Sequence, residues 1–215
     1  MLAEEVAKLL LEIDAVNFRF DPPFTYTTGL KSPIYTDVRR VMSFPKVRKQ
    51  IVNSYIELMK AKIGLKNIDL VSGTATAAIP LASFIAYELD IPMIFVRSSQ
   101  KQHGLGKMIE GELEKGQKVV IIEDMFTTGT SSLHNAQAVR EAGGVVEYAI
   151  GTFWWWESKS KENFETNHIK PLILTDGDQI IQAAFKKGLI TKTQKDKIQD
   201  WLQEPAGWAK RMGLE

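Results

Sequence analysis

The chain predicts an α/β protein with a mainly parallel central sheet flanked by helices. Three observations carry this. Val119-Val120-Ile121-Ile122 is apolar without interruption, as in a strand buried on both faces of a parallel sheet. Helical and strand-like patterns alternate from about residue 45 to 153, the order of a sheet covered on both faces. Two carboxylates and a Thr/Gly/Ser loop follow the apolar run, and a helical pattern opens at about Leu133. Ligands of open α/β sheets bind at such strand-to-helix turns.

The elements follow in order. Leu2, Val6, Leu9, Leu10 and Ile13 recur at helical spacing between charged residues, which predicts an amphipathic N-terminal helix. Asp21 to Pro33 is rich in Pro, Thr and Gly. A helix is predicted from Pro45 to about Ile63, with the proline in its first turn. Ile68 to Gly73 reads as a strand ending in a Gly turn, Ile79 to Leu89 as a helix and Ile91 to Val96 as a strand. Residues 98–118 are polar and glycine-containing, and a loop of that length in a compact domain is a lid or is disordered. The strand 119–122 follows, then a helix 133–142 that stops at Gly143-Gly144, then a strand Val145–Phe153. Beyond residue 160 the signals weaken to a short strand at Pro171–Leu174 and helices at Ile180–Lys186 and Thr193–Gln203.

Composition bounds the function. At 215 residues the chain suits one large domain or a domain with a small appendage. Hydrophobic content of 44% and charged content of 25% fit a soluble globular protein. A net charge of +1 argues against a general nucleic-acid or membrane-surface binder. Absence of cysteine excludes disulfides and thiolate metal sites and fits a reducing cytoplasm. The N-terminus is acidic, unlike a secretory signal, and no apolar run approaches the about 20 residues needed to span a bilayer.

The segment 119–132 carries the chemistry. Its loop can aim several backbone N–H groups at one phosphate, and the helix N-terminus adds favourable potential for an anion. Glu123 and Asp124 cannot serve that phosphate, because like charges repel. They suit sugar hydroxyls or a magnesium ion. Together these features describe a pocket for a phosphorylated ribose. A Walker-type loop is excluded because no Gly-Lys-Ser/Thr ending is present, and the spaced glycines of a dinucleotide site are missing.

Apolar run, two acids, two variable residues and Thr127-Thr128-Gly129-Thr130 resemble the motif of type I phosphoribosyltransferases that binds 5-phosphoribosyl 1-diphosphate (PRPP). Three further segments resemble orotate phosphoribosyltransferase. Phe24-Thr25-Tyr26-Thr27-Thr28-Gly29-Leu30-Lys31-Ser32-Pro33-Ile34-Tyr35 is similar to its N-terminal signature. Val71 to Pro80 is similar to its diphosphate loop, and Val96 to Gly106 to its mobile catalytic loop. The four segments match in order over about residues 24–132.

The resemblance implies a single domain over 1–215 with the type I phosphoribosyltransferase fold. Its small N-terminal hood would cover about residues 1–40, and its mobile loop 98–118. It implies transfer of phosphoribose from PRPP to orotate in pyrimidine biosynthesis, with magnesium carried mainly by PRPP and Asp124 as an optional ligand. It implies a cytoplasmic homodimer whose loop reaches the neighbour's site, with no nucleic-acid or membrane partner. Catalytic roles fall to Lys101, His103, Glu123 and Asp124. Donor binding falls to these four with Arg97, Thr76, Ala77, Ala78, Thr127, Thr128, Gly129, Thr130 and Ser131. Acceptor binding falls to Thr27, Lys31, Ile34, Tyr35, Thr127 and Trp154.

The chemistry supports these roles independently. The bond from C1 to diphosphate breaks with oxocarbenium character, the leaving group is highly charged, and water must be kept out. A closing loop with Arg97, Lys101 and His103, flanked by Gly104 and Gly106, serves both needs.

The chain departs from the pattern at three places. Many relatives have Lys at the position of Thr27 and a Lys in the diphosphate loop near Ala77, and some have Arg after the strand ending near Phe153, where this chain reads Trp154-Trp155-Trp156. An indole there can stack on a flat pyrimidine or pack in a core or dimer interface. Tyr26 and Tyr35 read equally as base contacts or as packed aromatics. Two other functions share these features: transfer to another base such as adenine, and a PRPP-sensing regulator that binds nucleic acid. The signature around Thr27 to Pro33 argues against the first. Lys101, His103 and the near-neutral charge argue against the second.

Overall fold

An amphipathic helix opens the chain, as its apolar spacing predicts: α1 (Leu2–Glu12) buries Val6, Ala7, Leu10 and Leu11. Four short strands follow, β1 (Val16–Phe18), β2 (Phe24–Thr25), β3 (Lys31–Ser32) and β4 (Ile34–Thr36), and then a 3₁₀ turn at Val38–Ser43. The central part runs α2 (Pro45–Lys62), β5 (Leu70–Thr74), α3 (Ile79–Leu89), β6 (Met93–Val96), β7 (Ile109–Glu110), β8 (Lys118–Phe126), α4 (Thr130–Glu141), β9 (Val145–Trp154), α5 (Glu157–Thr166) and β10 (Lys170–Asp176). The chain closes with α6 (Gly177–Lys186), α7 (Lys192–Gln203) and α8 (Pro205–Arg211). The computed structural model describes residues 2–26, 28–97, 108–155 and 157–214.

These elements form two compact units. One spans Pro45–Leu174, and the other joins the chain up to Phe44 with the chain from Thr175 onward. The N-terminal hood expected at about 1–40 therefore shares its unit with the C-terminal helices, a partnership with no mark in the sequence.

In the central unit six strands lie in the order β10-β9-β8-β5-β6-β7. β5 is parallel to both β6 and β8, and β8 is parallel to β9. β7 is antiparallel to β6, pairing Phe95 with Glu110 and Val96 with Ile109. This corrects the expected loop 98–118: its second part holds a two-residue edge strand, too short for any periodicity to reveal. Residues 98–107 lie outside the described residues.

Val119 to Ile122 are each no more than 3% exposed, and burying side chains of this size stabilises by about 1.5–3 kcal/mol each. β8 runs beyond the apolar run to Phe126, so the two acids lie within the strand. β5 shows how the faces divide. A Cβ on Gly73 would meet the Ile79 Cα at 3.0 Å and the Ala82 Cβ at 3.1 Å, so that face approaches α3 closely. Leu70 on the other face joins a cluster with Ala136 and Val139 of α4. Helices thus cover both faces, as a parallel sheet requires.

The other unit is held by helix packing and aromatic caps. α1 packs against α6, which buries Ile180, Ile181, Ala183 and Ala184. β1 pairs with β4 and β2 with β3, both antiparallel. The Trp201 indole donates to the Lys31 carbonyl at 2.9 Å and meets Tyr26 edge-on at 6.3 Å. Thr191 and Gln194 form a reciprocal capping box at the start of α7.

Candidate active site

β5 leads through α3 to β6 on one side, and β8 leads through α4 to β9 on the other. The connections diverge between β5 and β8, which is the switch point where open α/β sheets hold ligands. A cleft of about 230 Å³ lies there, lined by Ala75, Thr76 and Ala77 after β5 and by Glu123 to Ser132 at the end of β8. Another cavity, of about 190 Å³, lies against the opening residues of β8 and β9, Lys118 and Val145. It is at the amino ends of these strands, the wrong end for such a site.

Both helices that start at the cleft begin without a side-chain cap. Ala78 precedes α3 and Gly129 precedes α4, and neither position receives a side-chain hydrogen bond among the described residues. Their first turns leave N–H groups without an intrahelical partner, fewer on α3 because Pro80 in its first turn has no N–H, and an anion is the natural partner for them. Gly129 is required in its place. Its φ is +77°, and a Cβ there would lie 2.8 Å from the Phe164 ring. Asn163 Nδ2 donates to the Thr128 carbonyl at 2.9 Å, so α5 fixes the loop from behind. Thr128 and Thr130 share a hydroxyl hydrogen bond of 2.9 Å.

The two acids are placed differently. Glu123 is 5% exposed. Its Oε2 accepts from Ser132 Oγ at 2.8 Å and its Oε1 from the Asp124 N–H at 3.2 Å. Burial, with the Asp124 charge beside it, pushes the Glu123 carboxyl up to about 8. Asp124 is half-buried, and its Oδ1 accepts from the Met125 N–H at 2.9 Å. Tyr55 of α2 donates to the Glu123 carbonyl at 2.7 Å and lies 2.8 Å from Thr152 Oγ1. Burial raises the Tyr55 hydroxyl far above the usual phenol range. The strand end is therefore gripped from both faces. Anion-seeking N-termini on two sides and carboxylates between them suit a sugar bearing phosphate groups at both ends.

The structure brings together Thr76, Ala77, Glu123, Asp124, Thr127, Thr128, Gly129, Thr130 and Ser131. Ala78, the residue before α3, is buried, and its N–H goes to the Thr74 carbonyl at 3.1 Å. Arg97 follows β6 and pairs with Glu110 at 3.2 Å, while its N–H goes to the Met108 carbonyl. Lys31, Ile34 and Tyr35 belong to the other unit. Lys31 Nζ donates to Thr25 Oγ1 at 2.9 Å, and Tyr35 is 39% exposed, with its ring 5.6 Å from Phe24. Thr27, Lys101, His103 and Trp156 lie outside the described residues.

Two expectations change. The Ile34 side chain is fully buried, so it supports β4 instead of touching a ligand. Trp154 is 5% exposed, meets Phe126 edge-on at 5.8 Å and donates its indole N–H to Ser160 Oγ. An indole packed this way is core and offers no face to a pyrimidine. Both faces are covered at the end of β9, where Phe153, Trp154 and Trp155 are all buried, so Trp154 and Trp155 belong to the core.

Tyr55, Thr152, Ser132, Asn135 and Asn163 were not foreseen. The inward stripe of α4, Ser132-Asn135-Ala136-Val139, carries a readable signal: two polar residues sit where helical spacing calls for apolar ones. Among the described residues no three His, Asp or Glu side chains are grouped to hold a metal ion. No described helix is long and apolar enough to cross a membrane.

Comparison with known proteins agrees with this geometry. The family model for a phosphoribosyl transferase domain matches residues 47–178, which include both loops and both acids. An orotate phosphoribosyltransferase of Listeria innocua is 43% identical over 97% of this chain and 99% of its own. The crystal structure of an orotate phosphoribosyltransferase from Aeropyrum pernix superposes with a TM-score of 0.73 at 25% identity, over 86% of this chain and 99% of that one. Leishmania donovani UMP synthase superposes with a TM-score of 0.80 at 26% identity over 95% of this chain, which spans 43% of that longer protein. Similarity over nearly the full length of the Listeria relative, with the family model spanning the loops that build the cleft, places the chain in the orotate phosphoribosyltransferase family of phosphoribosyl transferases.

Proposed function

We propose that the chain transfers the phosphoribosyl group of PRPP to orotate, giving orotidine 5-monophosphate and diphosphate. The observation that carries this is the pair of uncapped helix N-termini flanking Glu123 and Asp124 at one switch point. The loop Thr127 to Ser131 receives the 5-phosphate, the turn Ala75 to Ala77 receives the diphosphate, and the acids orient the ribose hydroxyls between them. The C1–O bond breaks, diphosphate leaves with the electron pair, an orotate ring nitrogen forms the new bond to C1, and the proton of that nitrogen passes to an oxygen of the departing diphosphate. The leaving group thus takes up the proton, so the site needs no strong general base of its own.

Lys101 neutralises the departing diphosphate, with His103 and Arg97 in support. In the unliganded chain Arg97 is paired with Glu110, a partly exposed ion pair worth about 0–1 kcal/mol and easily exchanged for a polyanion. Lys31 and Tyr35, with Thr27, remain the acceptor contacts, and Thr127 adjoins both substrates. The donor set suits a magnesium ion held mainly by substrate: hard oxygen ligands, one half-buried carboxylate and, among the described residues, no closed cage of side chains. Such an ion supplies charge neutralisation on the diphosphate. The protein acts as a homodimer in the cytoplasm, with the catalytic loop of one subunit completing the site of the other.

The test is ultraviolet loss of orotate with PRPP and magnesium, beside adenine, uracil and hypoxanthine. Consumption of orotate that needs both PRPP and magnesium is the expected result. Turnover of another base in its place would overturn the acceptor assignment. In the same assay Lys101→Ala lowers kcat by roughly 10²–10³-fold and leaves PRPP affinity nearly unchanged. Turnover retained within a few-fold would remove Lys101 from the mechanism.

A further inference from the structure

We infer that Asn135 is a positioning residue that sets the diphosphate turn and the 5-phosphate loop at the separation PRPP requires. Asn135 lies on α4 and is 1% exposed. Its Oδ1 accepts from Ser72 Oγ at 2.8 Å, and its Nδ2 donates to Thr74 Oγ1 at 3.1 Å. Ser72 and Thr74 are two apart on β5, so both point to the α4 face, and both are buried. Thr74 is the last residue of β5, and its carbonyl closes the turn that presents Ala75 to Ala77 by accepting from Ala78. One turn earlier on α4, Ser132 holds the Glu123 carboxyl at the end of β8. A single helix, whose N-terminus is itself the 5-phosphate site, thus grips the ends of both strands that feed the cleft.

The choice of polar groups is informative. An apolar α4 stripe would pack on β5 as well, since replacing both partners of a buried hydrogen bond by apolar groups of the same shape is nearly neutral for stability. Apolar contacts are non-directional, whereas two hydrogen bonds to one planar amide fix a helix against a strand in both distance and rotation. A donor with an anion at each end gains from both subsites together when their spacing matches its own. The inference rests on the PRPP reading given above.

The experiment measures binding of PRPP, ribose 5-phosphate and inorganic diphosphate to the wild type, to Asn135→Leu and to the triple variant Ser72→Ala/Thr74→Val/Asn135→Leu. The melting temperature of each is recorded. In Asn135→Leu, PRPP binding weakens roughly ten- to a hundredfold while each fragment stays within about threefold of wild type, because each fragment uses one subsite. The triple variant regains the melting temperature, since no buried group is left unpaired, and still binds PRPP weakly. It also keeps the test in force if Asn135→Leu fails to fold. PRPP affinity that recovers together with the melting temperature would show that the cluster merely packs, and would overturn the inference. Asn135→Leu that binds PRPP like the wild type would do the same. Wild-type protein that binds no PRPP would sink the donor reading itself and this inference with it.

Discussion

Glu123 and Gly129 show how single residues set the behaviour of the cleft. The folded chain holds the Glu123 carboxyl up to about 8, against an ordinary value of 4.5, mainly through burial. Between those values the folded state binds a proton that the unfolded state has released. This group's contribution is therefore present at low pH and is lost as pH rises through that window. Glu123→Gln keeps an acceptor for Ser132 and cannot titrate. Its stability should overtake that of the unliganded wild type as pH rises from 5 to 8, by on the order of a few kcal/mol. Thermal melts over that range check this, and parallel curves for the two proteins would contradict it. Gly129→Ala meets a positive φ and the Phe164 ring at once. It should cost about 1–3 kcal/mol and weaken PRPP binding by tilting the first N–H groups of α4, as melting and calorimetry would show. Both residues stood out in the sequence because unusual residue types followed an apolar run. The raised Glu123 carboxyl did not, because it depends on Ser132, Tyr55 and the depth of burial.

At the level of elements, the strands and helices that build the cleft were legible and their supports were not. α2, α3 and the apolar part of β8 follow from periodicity, a proline in a first turn and a run of β-branched residues. The two-residue strands β2, β3 and β7 give no periodic signal, and α8 was hidden by Pro205 and Gly207 in so short a helix. α5 was missed because its residues are mostly polar, yet its Asn163 and Phe164 brace the loop at Thr128 and Gly129. α7 has a similar role in the other unit, where the Trp201 indole N–H holds the Lys31 carbonyl of β3. Trp201→Phe deletes that hydrogen bond at a cost of about 1 kcal/mol and frees the strand that carries Lys31. Steady-state kinetics should show a raised KM for orotate with an unchanged KM for PRPP. If both constants stay unchanged, β3 does not serve the acceptor.

At the scale of the whole molecule, chain order hides which segments fold together. Residues 1–44 and 175–214 share a unit, although nothing in either stretch names the other: α1 and α6 are each ordinary amphipathic helices, and pairing between them is a tertiary fact. The proposed dimer has a direct consequence at this scale. If Lys101 acts across the subunit interface, mixing Lys101→Ala with Asp124→Asn, each nearly inactive alone, should restore activity. Half of a random mixture is heterodimer with one intact site each, so recovery should approach roughly a quarter of wild type. The absence of any recovery would place the loop in its own subunit's site. The proposed reaction depends on where the donor sits, and a crystal structure of the protein with PRPP and magnesium tests this most directly. The 5-phosphate is expected on the backbone of Thr127 to Ser131, the diphosphate on Ala75 to Ala77 and the ribose hydroxyls beside Asp124. PRPP bound away from the β5 and β8 ends, or with a phosphate seated against Glu123 and Asp124, would contradict it.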